Sequence, residues 1–99
     1  MTERQYQSKL KSKLEKRFPD AIIFKVDPTA SGIQGFPDIM ILRNNKWAAL
    51  EVKKDEKAKH QPNQDDYVER IKAMGNYSSF IFPENEKEVL NELERALQP

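Results

Sequence analysis

Gly35-Phe36-Pro37-Asp38-Ile39-Met40-Ile41-Leu42-Arg43-Asn44-Asn45-Lys46-Trp47-Ala48-Ala49-Leu50-Glu51-Val52-Lys53 is the stretch whose reading decides the fold of this 99-residue chain. Two apolar runs flank a turn built on Asn44-Asn45, and asparagines between apolar runs mark a β-hairpin. Whether the loop has two residues or all four from Arg43 to Lys46, the pairing register is the same and sets Asp38 directly opposite Glu51. Opposed residues on a hairpin have Cβ atoms about 4.5–5.5 Å apart, so two carboxylates there repel unless something positive lies between them. A divalent metal is the first candidate. Lys53 follows Glu51 by two residues, and strand alternation turns it to the same face. Taken singly, each feature is ordinary: Glu-x-Lys on a strand is commonly a solvated ion pair, and Pro-Asp is a common loop dipeptide. The information lies in their convergence on a ribbon that is otherwise apolar.

On the N-terminal side of the hairpin, Thr2 with Gln5 forms a capping-box pattern. Tyr6, Leu10, Leu14 and Phe18 then recur at helical spacing until Pro19. Ala21 to Val26 is apolar and β-branched enough for a strand, closed by Asp27-Pro28. Thr29 to Gly35 is read as a loop, with glycines where the backbone needs positive φ or close approach to a ligand. On the C-terminal side, 55–60 is a charged connection. Pro62, Asp65 and Asp66 at one end and Gly75 at the other frame a second helix, with Tyr67, Val68, Ile71 and Met74 expected inward. Tyr77 to Phe82 reads as a fourth strand, parallel to the Trp47–Lys53 strand through a right-handed crossover. A last helix presents Val89, Leu90, Leu93 and Leu97 on one stripe. The expected order is αβββαβα, an α/β fold with a mixed sheet and a C-terminal helix, forming a single domain over residues 1–99.

Composition narrows the functional classes. There is no cysteine, which excludes disulfides and thiolate metal sites, and a single histidine, which cannot build a zinc centre alone. No apolar run approaches the roughly 18 residues of a membrane-spanning helix, and the polar start does not read as a signal peptide, so a cytoplasmic protein with no membrane partner is expected. The net charge of +1 conceals a division: residues 1–60 carry 13 Lys/Arg and 8 Asp/Glu, while residues 61–99 carry 4 and 8. The basic part holds the hairpin. Lys54, Lys57 and Lys59 crowd just beyond it, and Lys9, Lys11, Lys13, Lys16 and Arg17 mark the first helix. Such clusters are ordinarily solvated faces; beside a carboxylate pair they also suit an arriving phosphate backbone.

Hard oxygen ligands suit Mg²⁺ or Mn²⁺, which keep several waters and take one or two carboxylates plus substrate oxygens. Lys53 beside such an ion could orient an attacking water, stabilise the transition state or act as a base. His60, Trp47 and Asn44-Asn45 have structural readings: a solvated or phosphate-facing loop residue, packing at the core or its rim, and turn chemistry.

Asp38 followed by Glu51-x-Lys53 across a short hairpin, in an αβββαβ frame, resembles the restriction-endonuclease-like PD-(D/E)xK superfamily, and more narrowly the VRR-NUC domain. The narrower likeness rests on the glycine-containing lead-in Ser31-Gly32-Ile33-Gln34-Gly35-Phe36-Pro37-Asp38 and on Gln61-Pro62-Asn63-Gln64, similar to the family's Pro-x-Gln, although Gln61 stands where Ser or a similar residue is usual. The resemblance spans roughly 3–82. It implies a nuclease dependent on Mg²⁺ or Mn²⁺ and acting on branched DNA, with small standalone versions resembling homodimeric Holliday-junction resolvases of bacteria and phages. It further implies that Asp38, Glu51 and the Val52 carbonyl bind metal, that Lys53 is the catalytic lysine, that Gln64 supports the site, and that Glu3 is the first-helix acid near the metal. Lys54, Lys57 and Lys59 are the candidate DNA contacts. A flap or nicking nuclease and a non-catalytic nucleic-acid-binding module are the alternatives.

Overall fold

The computed structural model describes residues 1–27, 29 and 32–99; Pro28, Ala30 and Ser31, within the loop expected between the first strand and the hairpin, lie outside the described residues. The elements run α1 (Glu3–Arg17), β1 (Ile22–Lys25), β2 (Ile39–Arg43), β3 (Lys46–Val52), α2 (Gln64–Ala73), β4 (Tyr77–Ile81) and α3 (Glu86–Ala96). Helix α1 starts as its sequence dictates: Thr2 Oγ1 accepts from the Gln5 backbone N–H, and the Gln5 side chain accepts from the Thr2 N–H. The sheet order is β1-β2-β3-β4, antiparallel except for the parallel β3–β4 pair that α2 connects.

The hairpin has the two-residue loop, with Arg43 paired to Lys46 and Asn44 at φ 57°. Asparagine tolerates that left-handed conformation better than most residues. Ile39 therefore pairs with Leu50, and one step further the register brings Asp38 to Glu51. A slip of one residue would have sent both acids to opposite faces.

Alternation divides the sheet into two unlike faces. Ile39, Ile41, Ala48, Leu50, Val52 and Ile81 point to the face covered by α1 and α3, where Tyr6, Leu10, Leu14, Val89, Leu90, Leu93 and Leu97 complete the buried core. The leucine stripe of the last helix is thus core. Tyr77, Ser79 and Ile81 pair with Ala48, Leu50 and Val52, so Ser78 and Phe80 share the opposite face with Ala49 and Glu51. That second face is where α2 packs, with Val68 and Ile71 buried. Met74, expected inward, is exposed: the helix has already ended, and Met74 caps a turn completed by Gly75 at φ 89°. Over β1 and β2 the second face is open, with Ile22, Phe24 and Leu42 exposed. No helix is long and apolar enough to cross a membrane among the described residues.

Candidate active site

The ends of β2 and β3 meet the start of α2 on the second face. Glu51 and Lys53 are both buried there, at 1% and 4% exposure. Asp38 sits one residue before β2. Its Oδ2 accepts from the Val52 N–H at 2.9 Å, while its own carbonyl accepts from Val26 N–H at 2.8 Å, so both neighbouring strands hold it.

Gln64, the first residue of α2, links the other two groups. Its Nε2 donates to Glu51 Oε2 at 3.1 Å, and its Oε1 accepts from Lys53 Nζ at 2.7 Å and from the Gln61 N–H at 2.7 Å. Only one amide orientation satisfies a carboxylate on one side and two donors on the other, so the network fixes it. The Lys53 ammonium also donates to the Lys59 carbonyl at 3.1 Å, which ties the 53–60 segment over the site.

The second oxygen of Glu51, Oε1, is buried and has no hydrogen-bond partner. Burial, then the facing carboxyl of Asp38 and its charge, push the Glu51 carboxyl up to about 9, where a shared proton would bridge the two acids; Lys53 opposes this and Glu3 adds to it. Glu3, in the first turn of α1, is therefore close enough for its charge to be felt. Two facing carboxyls, one with an unpartnered buried oxygen, form a donor set that fits a hard divalent cation retaining waters. Among the described residues no group of three or more His, Asp or Glu side chains converges. Asp38 and Glu51 are the acids that such a site would draw on.

The approach to Asp38 is locked by backbone packing. Gly35 (φ 85°) lies against the residue preceding α2: a Cβ there would fall 2.8 Å from Asn63 Cβ and 3.0 Å from the Pro62 carbonyl oxygen. Asn63 is itself left-handed, at φ 74°. Phe36 meets Tyr67 of α2 edge to face, with centroids 5.6 Å apart. The close approach anticipated for this glycine is made to the protein's own chain. The Pro62-Asn63 spacing was the only sequence signal for it.

Of the basic groups, Lys54, Lys57 and Lys59 are exposed. The first-helix cluster is partly consumed by the fold: Lys11 pairs with Glu15, Lys13 with Glu86 and Arg17 with Glu94. His60 is not the solitary loop residue that the sequence suggests. Its ring stacks on Phe80 at 4.0 Å and 9°, and its Nδ1 is 2.9 Å from Asp65 Oδ1. Trp47 is half-buried on the Glu51 face, two pleats from it.

A mixed four-stranded sheet with a carboxyl pair, a lysine and a glutamine at the strand ends defines a restriction-endonuclease-like α/β fold. Within that class the chain has the fold of a VRR-NUC domain: a solved structure described as a VRR_NUC domain protein superposes with a TM-score of 0.71 at 19% identity, covering 98% of this chain and 88% of the other. No protein-family model matches the sequence, and no curated protein does.

Proposed function

We propose that the protein is a Mg²⁺- or Mn²⁺-dependent endodeoxyribonuclease that cuts branched DNA, with the four-way junction as its substrate and a homodimer as its working form. The observation that carries this reading is the Lys53–Gln64–Glu51 chain beside Asp38, arranged around the unpartnered Glu51 Oε1. Phosphate binding alone gains nothing from a buried acid set against a second, half-buried one, an arrangement that costs free energy unless a cation or proton compensates it. Asp38, Glu51 and the Val52 carbonyl would hold the metal, which when bound activates a water and stabilises charge on the phosphodiester. Lys53 Nζ adds a fixed positive charge for the reacting phosphate, already aimed and largely desolvated, so little reorganisation accompanies the reaction. Gln64 is a positioning residue, holding Lys53 and Glu51 by one amide. Glu3 adds negative charge that favours a cation in the same place. Lys54, Lys57 and Lys59 offer unspecific contacts to the backbone.

Two cuts in one junction need two sites, and one chain carries one, so a two-fold pair supplies the second. The stripe Val89, Leu90, Leu93 and Leu97 is not available for it, being core. The unpaired edge of β1, with Ile22 and Phe24 exposed, is. Antiparallel pairing of two β1 edges has its two-fold perpendicular to the sheet. That would bring both carboxyl pairs to the same face, separated across the sheet by four strand spacings, or about 19 Å.

Incubation with end-labelled duplex, flap, splayed-arm and four-way-junction DNA, with Mg²⁺, Mn²⁺ or chelator, tests the reading. Metal-dependent cutting of the junction supports it. Preference for the flap or splayed arm would make the protein a flap or nicking nuclease. Binding without cleavage in every condition would leave a DNA-binding module.

A further inference from the structure

His60 occupies a place that the chemistry above does not use. Its ring is stacked on Phe80, and the side chain is 37% exposed. Phe80 is the register partner of Glu51 on the parallel neighbouring strand, so the residue under the stack has its backbone one strand spacing, about 4.8 Å, from that of the site acid. The residue before it supplies the carbonyl that Lys53 Nζ donates to. His60 thus belongs to the rim of the site on the side of the exposed lysines.

Its nitrogens are not equivalent. Nδ1 is engaged by Asp65 Oδ1, and a carboxylate there requires Nδ1 to carry the hydrogen. In the neutral ring Nε2 is then an acceptor and cannot bind a phosphate oxygen. Protonation gives Nε2 a hydrogen and the ring a charge at once, turning it into a phosphate donor. Asp65 from α2 is the charged group that faces the ring, Phe80 from β4 brings none, and Lys59 precedes it on its own segment. Asp65 holds the ring through Nδ1, so its contact does not use Nε2.

We infer that His60 is a DNA-phosphate ligand beside the active site, making its contact only in the imidazolium form. This rests on the nuclease reading, and the test separates the two. Binding of a short fluorescein-labelled duplex is followed by anisotropy through a salt series at about pH 6 and about pH 8. The wild type is compared with His60→Phe, which retains a ring for Phe80 but no titratable nitrogen, and with His60→Gln as a second variant; thermal unfolding checks that each is folded. Other groups, Glu51 included, also change protonation over this interval, and comparison with the variants at each pH removes them. At the lower pH the wild-type dependence of log affinity on log salt is expected to be steeper than either variant's by about 0.9, one phosphate contact, with several-fold tighter binding at moderate salt. At the higher pH the three proteins converge. A wild type that cuts DNA with Mg²⁺ yet matches both folded variants at the lower pH overturns the inference alone. A wild type that neither binds nor cuts DNA overturns the nuclease reading with it.

Discussion

Glu51→Gln should stabilise the metal-free protein, and increasingly so as pH rises. Glu51 is 1% exposed, faces Asp38, and its carboxyl is pushed from the ordinary carboxylate range up to about 9. In the unfolded chain the same group loses its proton near 4.5. Between those values the native state holds a proton that the unfolded state has released, so unfolding becomes easier by ~1.4 kcal/mol for each pH unit gained. The penalty is absent below the unfolded value, grows through neutrality and levels off above the folded one. Glutamine is a permanent stand-in for the protonated acid. Its oxygen can accept from Gln64 Nε2, and its amide can donate to Asp38. Urea denaturation in chelator is therefore expected to show a wild-type disadvantage that widens by about 3 kcal/mol between pH 5 and pH 7. Mg²⁺ should recover stability for the wild type and not for the variant, since a bound ion substitutes for the proton. A wild-type-to-variant difference that stays constant from pH 5 to pH 7 would refute the buried-acid argument, whatever the enzymology.

Cleavage is expected to need Mg²⁺ or Mn²⁺, with Ca²⁺ supporting binding but little cutting; full activity in excess chelator would remove the metal from the mechanism. Asp38→Ala and Lys53→Ala should each abolish nearly all turnover, and the double variant should be hardly worse than either single, because the groups act as one unit. Replacing Lys54, Lys57 and Lys59 together by alanine should weaken binding alike for all DNA sequences and flatten its salt dependence, which filter binding across a salt series would show. Gly35→Ala should destabilise the fold by ~2 kcal/mol or more, because alanine at φ 85° is strained and its Cβ would strike Asn63; thermal unfolding and turnover should fall together as Gln64 shifts. Light scattering should report a dimer that Phe24→Glu dissociates, and a wild-type monomer at micromolar concentration on junction DNA would remove the paired-cut reading.

The sheet was legible because its decisive hairpin carries its own register. A two-residue asparagine turn between apolar runs leaves one pairing that keeps Ile39, Ile41, Ala48 and Leu50 on the same face, and that pairing also sets Asp38 opposite Glu51. Gln64 was legible only through resemblance; no periodicity predicts that a helix-starting glutamine will bridge an acid and a lysine. The role of His60 was illegible for another reason. Its partners are Phe80, distant in sequence, and Asp65, whose place in the first turn of a helix is sufficiently explained by the helix dipole. The last helix left a different ambiguity: an apolar stripe looks the same whether it covers the chain's own sheet or a second molecule. Here α3 is needed at home, because α1 alone cannot cover one whole face of four strands.

That use of α3 also decides what the uneven charge distribution means. Its acidic residues lie against the basic face of α1, where Glu86 takes Lys13 and the Tyr6 hydroxyl, and Glu94 takes Arg17. Part of the excess positive charge of the N-terminal helix is therefore met by the C-terminal one, across the face remote from the carboxyl pair. Exposed pairs of this kind add little stability each, and they leave Arg4, Lys9 and Lys16 of α1 exposed. A second exposed basic group, Lys54, Lys57 and Lys59, stands on the 53–60 segment, which is anchored to the site by the Lys53–Lys59 hydrogen bond. In the proposed nuclease, a backbone drawn in by Lys54, Lys57 and Lys59 would meet Lys53 and the two acids at the start of the same short segment.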